Sequence, residues 1–326
     1  MGCDRNSDSQ SPHFECSSAL FEGEGDYDAI NDISSHPEIS DYPGDDYLIL
    51  SVASGKGGTG KTLVATNLAA SLSGGRVTLA DCDVEEPNAH LFFPDKEIIE
   101  EADFSVSIPV VDEDRCKRCG KCSQFCAFHA LAVFPGEVLI FPELCHSCGG
   151  CVIACPEEAI SEGSRKVGRV YHARAGPADL VWGVLQVGEA RTTPLIRAVK
   201  EMAGCGRVSV DSPPGTSCPM VEAVRGSDFC LLVTEPTPFG LYDLKIAVKV
   251  LEDMKIPHGV LINKSGIGDR AVYQYLQERD IPLLMEIPMS RRIAEIYSRG
   301  GIFIREMPEW AGKLSDLWTE IEEMIS

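Results

Sequence analysis

The run Gly55-Lys56-Gly57-Gly58-Thr59-Gly60-Lys61-Thr62 leaves the chain around it few folds to choose from. Ahead of it stands Tyr47-Leu48-Ile49-Leu50-Ser51-Val52, a short β-rich apolar stretch, and behind it Leu63 to Leu72 carries helical spacing. Strand, glycine-rich loop and helix in that order match G-x-x-x-x-G-K-[ST], whose backbone N–H groups turn inward and cradle phosphate oxygens. On this pattern Gly55, Gly57, Gly58, Thr59 and Gly60 form the cradle. Lys61 neutralises the outer phosphates, and Thr62 ligates Mg²⁺ through its hydroxyl.

The same alternation continues along the chain. Strands are expected at Val77 to Ala80, Leu180 to Val187, Arg207 to Val210, Phe229 to Val233 and Gly259 to Ile262. Helical patterns fall between them at Thr193 to Met202, Leu241 to Met254 and Asp269 to Glu278. This predicts an α/β domain with a mostly parallel sheet flanked by helices. Val208-Ser209-Val210-Asp211 is an apolar strand ending in an acid, which places Asp211 on the Mg²⁺ shell.

A second pattern interrupts this domain. Cys116, Cys119, Cys122 and Cys126 are followed 29 residues later by Cys145, Cys148, Cys151 and Cys155, each run spaced C-x₂-C-x₂-C-x₃-C. That is the bacterial two-cluster ferredoxin spacing, in which the fourth cysteine of each run ligates the other cluster. Cys116, Cys119, Cys122 and Cys155 are therefore assigned to one [4Fe–4S] cluster, and Cys145, Cys148, Cys151 and Cys126 to the other. Zinc is the competing metal, since four thiolates suit it too. Gly120 and Gly149 leave room for backbone N–H bonds to sulfur. Ala127 replaces the proline expected after the first run, whereas Pro156 follows the second. Residues 108–162 are read as a small inserted α+β ferredoxin domain, splitting the nucleotide-binding domain into 47–107 and 163–326.

Eight of fourteen cysteines lie in this one stretch, and Met1 to Gln10 lacks a basic start followed by an apolar core. Metal ligation in a reducing, cytoplasmic setting is the reading this supports. Of the net charge of −21, residues 1–46 contribute −11, from twelve acids and one arginine, and are read as a disordered acidic tail. The chain shows no basic footprint for nucleic acid, no apolar run of membrane-spanning length and a charge that anionic lipid repels.

The extra lysine, Lys56, directly after the first glycine gives the loop the form Lys-Gly-Gly-x-Gly-Lys-Thr. In this the chain resembles the deviant-Walker ATPases: MinD, ParA, Mrp-type cluster carriers and the nitrogenase iron protein. The resemblance implies an ATP-sandwich dimer, with itself or a related ATPase, in which Lys56 reaches the phosphates of the opposite subunit. It implies a first switch at Ala80-Asp81-Cys82-Asp83-Val84-Glu85-Glu86-Pro87-Asn88, with Asp83 positioning water and Asp81 in support. It implies a second switch at Pro213-Pro214-Gly215, and base recognition by Asn263, for which a structural turn is the alternative. Cys218 lies where iron-protein-like members hold a bridging cluster; the alternative is a small residue packed behind the switch.

Three functions compete: an ATPase coupling nucleotide state to electron transfer or to docking of a redox protein; a cluster carrier of the Mrp type; and a MinD/ParA-like spatial organiser. In the C-terminal stretch Trp310, Leu314, Leu317, Trp318, Ile321 and Met324 recur at helical intervals. Its acidic polar face favours packing on the domain over membrane binding.

Overall fold

The computed structural model describes residues 48–72, 77–176, 178–204 and 206–325; the acidic tail lies outside them. The apolar run before the phosphate-type loop forms β1 (Leu48–Ala53), nearly all of it buried. The loop leads into α1 (Lys61–Ser71), buried on almost every side. Around β1 the sheet orders as Leu283–Pro288 (β11), His258–Ser265 (β10), Phe229–Thr234 (β9), β1, Arg207–Asp211 (β8), Val77–Asp81 (β2), Ala178–Leu185 (β7), Ile160–Ala175 (β6) and Glu97–Val111 (β3). From β11 to β7 every neighbour pair is parallel. β7, β6 and β3 then pair antiparallel. The predicted mostly parallel sheet is present, with β1 to β2, β7 to β10 and their helices within a few residues of the expected bounds.

Two layers cover the sheet. On one face α1 packs with the C-terminal helix α10 (Glu309–Ile325), which buries Trp310, Leu314, Leu317, Trp318 and Ile321 and leaves Met324 exposed. On the other lie α4 (Thr193–Ala203), α5 (Cys218–Val224) and α6 (Pro238–Met254), with their own buried clusters. No helix among the described residues is long and apolar enough to cross a membrane. Trp318 is 1% exposed in the core, so Trp318→Ala should destabilise by about 3–5 kcal/mol and Trp318→Phe by less. Denaturant midpoints measure this.

The sequence reading did not anticipate β3 and β6. They form one long ladder running from Glu97↔Arg174 to Val111↔Ile160. The cysteine segment hangs from its far end and consists of α2 (Lys121–Phe125), α3 (Gly150–Ile153) and a two-stranded sheet of β4 (Leu131–Val133) and β5 (Val138–Ile140). The strands cross positions 108 and 162 without a break, so the cysteine segment and the sheet share one continuous backbone ladder.

Candidate functional site

The register brings the first site together. Val52, Asp211 and Asp81 lie abreast on β1, β8 and β2, at the carboxyl ends of parallel strands. Ligands of open α/β sheets bind at that edge. The loop from Gly55 to Gly60 closes over it. A Cβ on Gly55 would collide with the Asp243 carbonyl, so α6 can approach only a glycine. Gly60 caps α1 with φ 99° and lies against the Asn263 amide.

Lys61 is buried, and burial lowers its pKa against the pull of Asp211 and Asp83. Asp211, also buried, is pushed up to about 7 by desolvation, opposed by the Thr62 hydroxyl and Lys61. Asp81 is raised too, by burial and then by Asp211. Its carboxylate accepts from the backbone N–H of Asp83 at 3.1 Å and of Asn88 and Ala89 at 2.9 Å each. Asp81 thus organises the loop that carries Asp83, whose own pKa burial raises and Lys61 lowers. Three buried oxygens here have no protein partner: Thr59 Oγ1, Asp211 Oδ1 and Ser212 Oγ.

Lys56 pairs within its own chain with Glu235. The other Glu235 oxygen takes Lys264 at 3.0 Å, and Lys264 also donates to the Gly58 carbonyl at 3.1 Å. Asn263 Nδ2 donates to the Thr59 carbonyl at 2.7 Å, while its Oδ1 accepts from the Lys264 N–H. Beside it opens a cavity of about 200 Å³ between the loop and helix α8 (Arg291–Ser298), lined by Pro288, Met289, Ile293 and Tyr297. Sequence reading missed these last residues; a proline closing a late strand was the only local signal. Cys218 begins α5 and is exposed, which corrects the reading of a residue packed behind the switch.

His90 follows the Asp81-bound loop. It stacks on Trp182 at 4.7 Å, and Trp182 stacks on Tyr171 at 5.1 Å. Desolvation, aided by Lys96, lowers His90 to about 4. A histidine with a depressed folded pKa binds fewer protons folded than unfolded. Its stability share is complete above pH 6.5 and is lost as pH falls toward 4. His90→Phe keeps a ring on Trp182 without the titration. The wild-type chain should therefore lose about 1 kcal/mol more than His90→Phe between pH 7 and pH 5, allowing for partial exposure. Paired denaturant melts test this.

The second site is the cysteine segment. One cavity, of about 100 Å³, is lined by Cys126, Cys145, Cys148 and Cys151. A tighter one, of about 20 Å³, is lined by Cys116, Cys119, Cys122 and Cys155. The fourth cysteine of each run thus sits with the first three of the other. The repeat is conformational as well. Positive φ recurs at Arg118 and Ser147, Gly120 and Gly149, and His129 and Glu158, each pair 29 residues apart. Backbone N–H groups of Ala130, Ser147 and Ala159 donate to Cys126, Cys145 and Cys155 sulfurs at 3.3–3.4 Å. Burial raises the Cys122 thiol and takes Cys151 to about 11. Among the described residues no three His, Cys, Asp or Glu side chains are grouped to hold a single metal ion.

Sheet order, glycine loop and acid-tipped strands together define a P-loop nucleotide-binding unit. The model of the CobQ/CobB/MinD/ParA nucleotide binding domain matches residues 50–303, and the chain belongs to that family. Two uncharacterized proteins of Methanocaldococcus jannaschii resemble it along most of their lengths. MJ0579 is 29% identical over 284 residues, covering 86% of this chain and 97% of its own. MJ0578 is 32% identical over 245 residues, covering 73% and 86%. Among solved structures, the cell division ATPase MinD of Pyrococcus furiosus superposes with a TM-score of 0.51 at 21% identity, covering 85% of this chain and 99% of that one. The septum site-determining protein MinD of Pyrococcus horikoshii, complexed with Mg-ADP, gives 0.52 at 19% identity, covering 86% and 98%. These likenesses establish the fold.

Proposed function

We propose that this chain is a Mg²⁺-dependent ATPase that couples its nucleotide state to electron transfer, or to docking of a redox protein, through two [4Fe–4S] clusters. The observation that carries the reading is the crossed pair of quartets, each around its own cavity, on a ladder continuous with the nucleotide-binding sheet.

At the nucleotide site, Gly55 to Gly60 would cradle the phosphates, with Lys61 on the outer ones. Thr62 and Asp211 would hold Mg²⁺, and the unpartnered oxygens of Thr59 and Asp211 are the kind that an ion and a triphosphate satisfy. Asp83, steered by Asp81, would position the attacking water. Asn263 would face the base from beside the loop. For Lys56 to reach the phosphates of a second subunit, its ammonium must leave the Glu235 carboxylate, so dimer formation and release of this ion pair would occur together.

The donor set of the second site fits a cluster of this kind. Eight thiols are present, apolar walls surround them, and main-chain N–H groups point at sulfur. A bound cluster would supply one-electron transfer. The inserted ferredoxin-type unit then provides the redox surface, and the 83–92 loop, which runs into β3, provides the link to nucleotide.

Reconstitution without oxygen should give about eight iron atoms with matching acid-labile sulfide. A redox titration read by electron paramagnetic resonance, with no nucleotide, ADP or a non-hydrolysable ATP analogue, tests the coupling. Typical coupling of ~1–3 kcal/mol would move a midpoint by roughly 40–130 mV. Zinc without sulfide would overturn the reading. Stoichiometric delivery of clusters to an acceptor protein would replace it with the Mrp-type carrier.

A further inference from the structure

The loop between β7 and α4 belongs to the nucleotide-binding unit, yet it reaches the cysteine segment. Arg191 donates through Nη1 to the main-chain carbonyl of Cys145. The same guanidinium is gripped by Glu189, Nε to Oε1 at 2.9 Å and Nη2 to Oε2 at 3.3 Å. Glu189 also accepts from the backbone N–H of Ala190 and Arg191. Arg165, on β6, approaches Glu189 at 3.1 Å and Glu143 at 3.6 Å. The side chains of Glu189 and Arg191 are only 3% and 12% exposed. A guanidinium this far from water, touching the peptide of a cysteine, acts on that cysteine's surroundings with little screening.

The other quartet has no such neighbour among the described ion pairs. Cations near it include Arg115, 52% exposed and paired with Glu158, Lys117, 71% exposed and paired with Glu157, and Arg118, 33% exposed and paired with Glu113. Lys117 and Arg115 stand in wet surroundings where charge is screened. Arg118 lines that cavity with its Nε buried, but none of the three donates to the carbonyl of a cysteine in the described hydrogen bonds.

Resting on the two-cluster reading, we propose that Arg191 sets the reduction potential of the cluster held by Cys126, Cys145, Cys148 and Cys151, and that Glu189 tunes it in the opposite sense. A nearby cation stabilises the reduced, more negative cluster and raises its potential, whereas an anion lowers it. Arg191 acts through Cys145 and through the field, so it is a positioning residue. Because it stands just ahead of α4, which packs on β7 and α5, it also ties this cluster to the nucleotide-binding unit.

The test is a dithionite titration of the reconstituted full chain and of Arg191→Gln and Glu189→Gln. The signal of this cluster is assigned with Cys155→Ser, which keeps its quartet whole. Arg191→Gln should shift this cluster about tenfold toward the oxidised form at a given potential, or about 59 mV downward for one electron. Glu189→Gln should move it upward, and the other cluster should move far less in both. A merely structural clamp would shift the two variants the same way. Shifts of one sign, equal shifts in both clusters, or none would overturn the proposal while leaving the two-cluster reading intact. A wild-type chain that binds no iron overturns both. Where Arg191→Gln loads no cluster, Arg165→Gln serves: it should move this cluster downward by less, and no shift there overturns the proposal.

Discussion

Lys61→Ala should lower ATP turnover by roughly 10²–10³-fold, the scale on which a single preorganised charge contact to a transition state is felt. Lys61 is buried between Asp211 and Asp83. Its ammonium is already desolvated and aimed before any substrate arrives, so little reorganisation is left for the reacting state. Without it the charge that opposes desolvation and Asp83 at Asp211 is gone, so the Asp211 pKa, already raised to about 7, should rise further. If Asp211 holds Mg²⁺ as proposed, metal affinity should fall along with turnover. Lys56→Ala is the contrast. Lys56 sits on Glu235 at the edge of the same loop, so a single chain should still bind ATP while turnover by the paired chains falls. Calorimetry for binding and phosphate release for turnover separate the two lysines. Equal loss of binding in both variants would count against distinct roles.

The second large effect concerns iron. Cys155→Ser should cut iron from about eight atoms to about four, and the lost cluster should be the one held by Cys116, Cys119 and Cys122. Cys126→Ser should remove the opposite one. The basis is that Cys155 lines the cavity of the first run and Cys126 that of the second. If each cluster instead belonged to one contiguous run, Cys155→Ser would abolish the cluster of Cys145, Cys148 and Cys151. Iron content with the resonance spectra of the two single variants decides between these patterns, and the two spectra should sum to that of the parent protein.

Much of this was legible in the chain. The phosphate-type loop was bracketed by an apolar run and a helical pattern, and β1 and α1 form there. Strands buried on both faces, such as Phe229–Thr234, announce themselves as apolar runs because every side chain must avoid water. The ladder of β3 and β6 was not legible, for the complementary reason. It lies at the sheet edge with much of its surface wet, so acids, lysines and arginines interrupt any alternation. What holds those strands is pairing with each other and of β6 with β7, non-local contacts that no window of sequence contains. The short β11 carries the same difficulty, being half exposed and closed by Pro288.

At the sites, spacing located the cysteines and strand ends located the acids, because ligation and capping are local chemistry. Arg191 and Glu189 carry no local pattern that assigns them a task. Their partners Cys145 and Arg165 lie tens of residues away. Asn263 likewise revealed its bond to the Thr59 carbonyl only once β10 and the loop were placed side by side.

The way the cysteine segment is hung has a practical consequence. Val111 and Ile160 face each other across the last rung of the ladder, and Asp112 still donates to the Ala159 carbonyl at 2.8 Å just beyond it. Entry and exit are thus neighbouring backbone positions, separated by about 5 Å as in any antiparallel pair. A two-residue Asn-Gly turn could join them and discard everything between. The edge strands would remain a plain hairpin, and the parallel strands beneath would keep every partner. Such a shortened chain would keep the nucleotide site and lack the eight cysteines, and on the proposed function any effect of the clusters on nucleotide turnover could be measured against it directly.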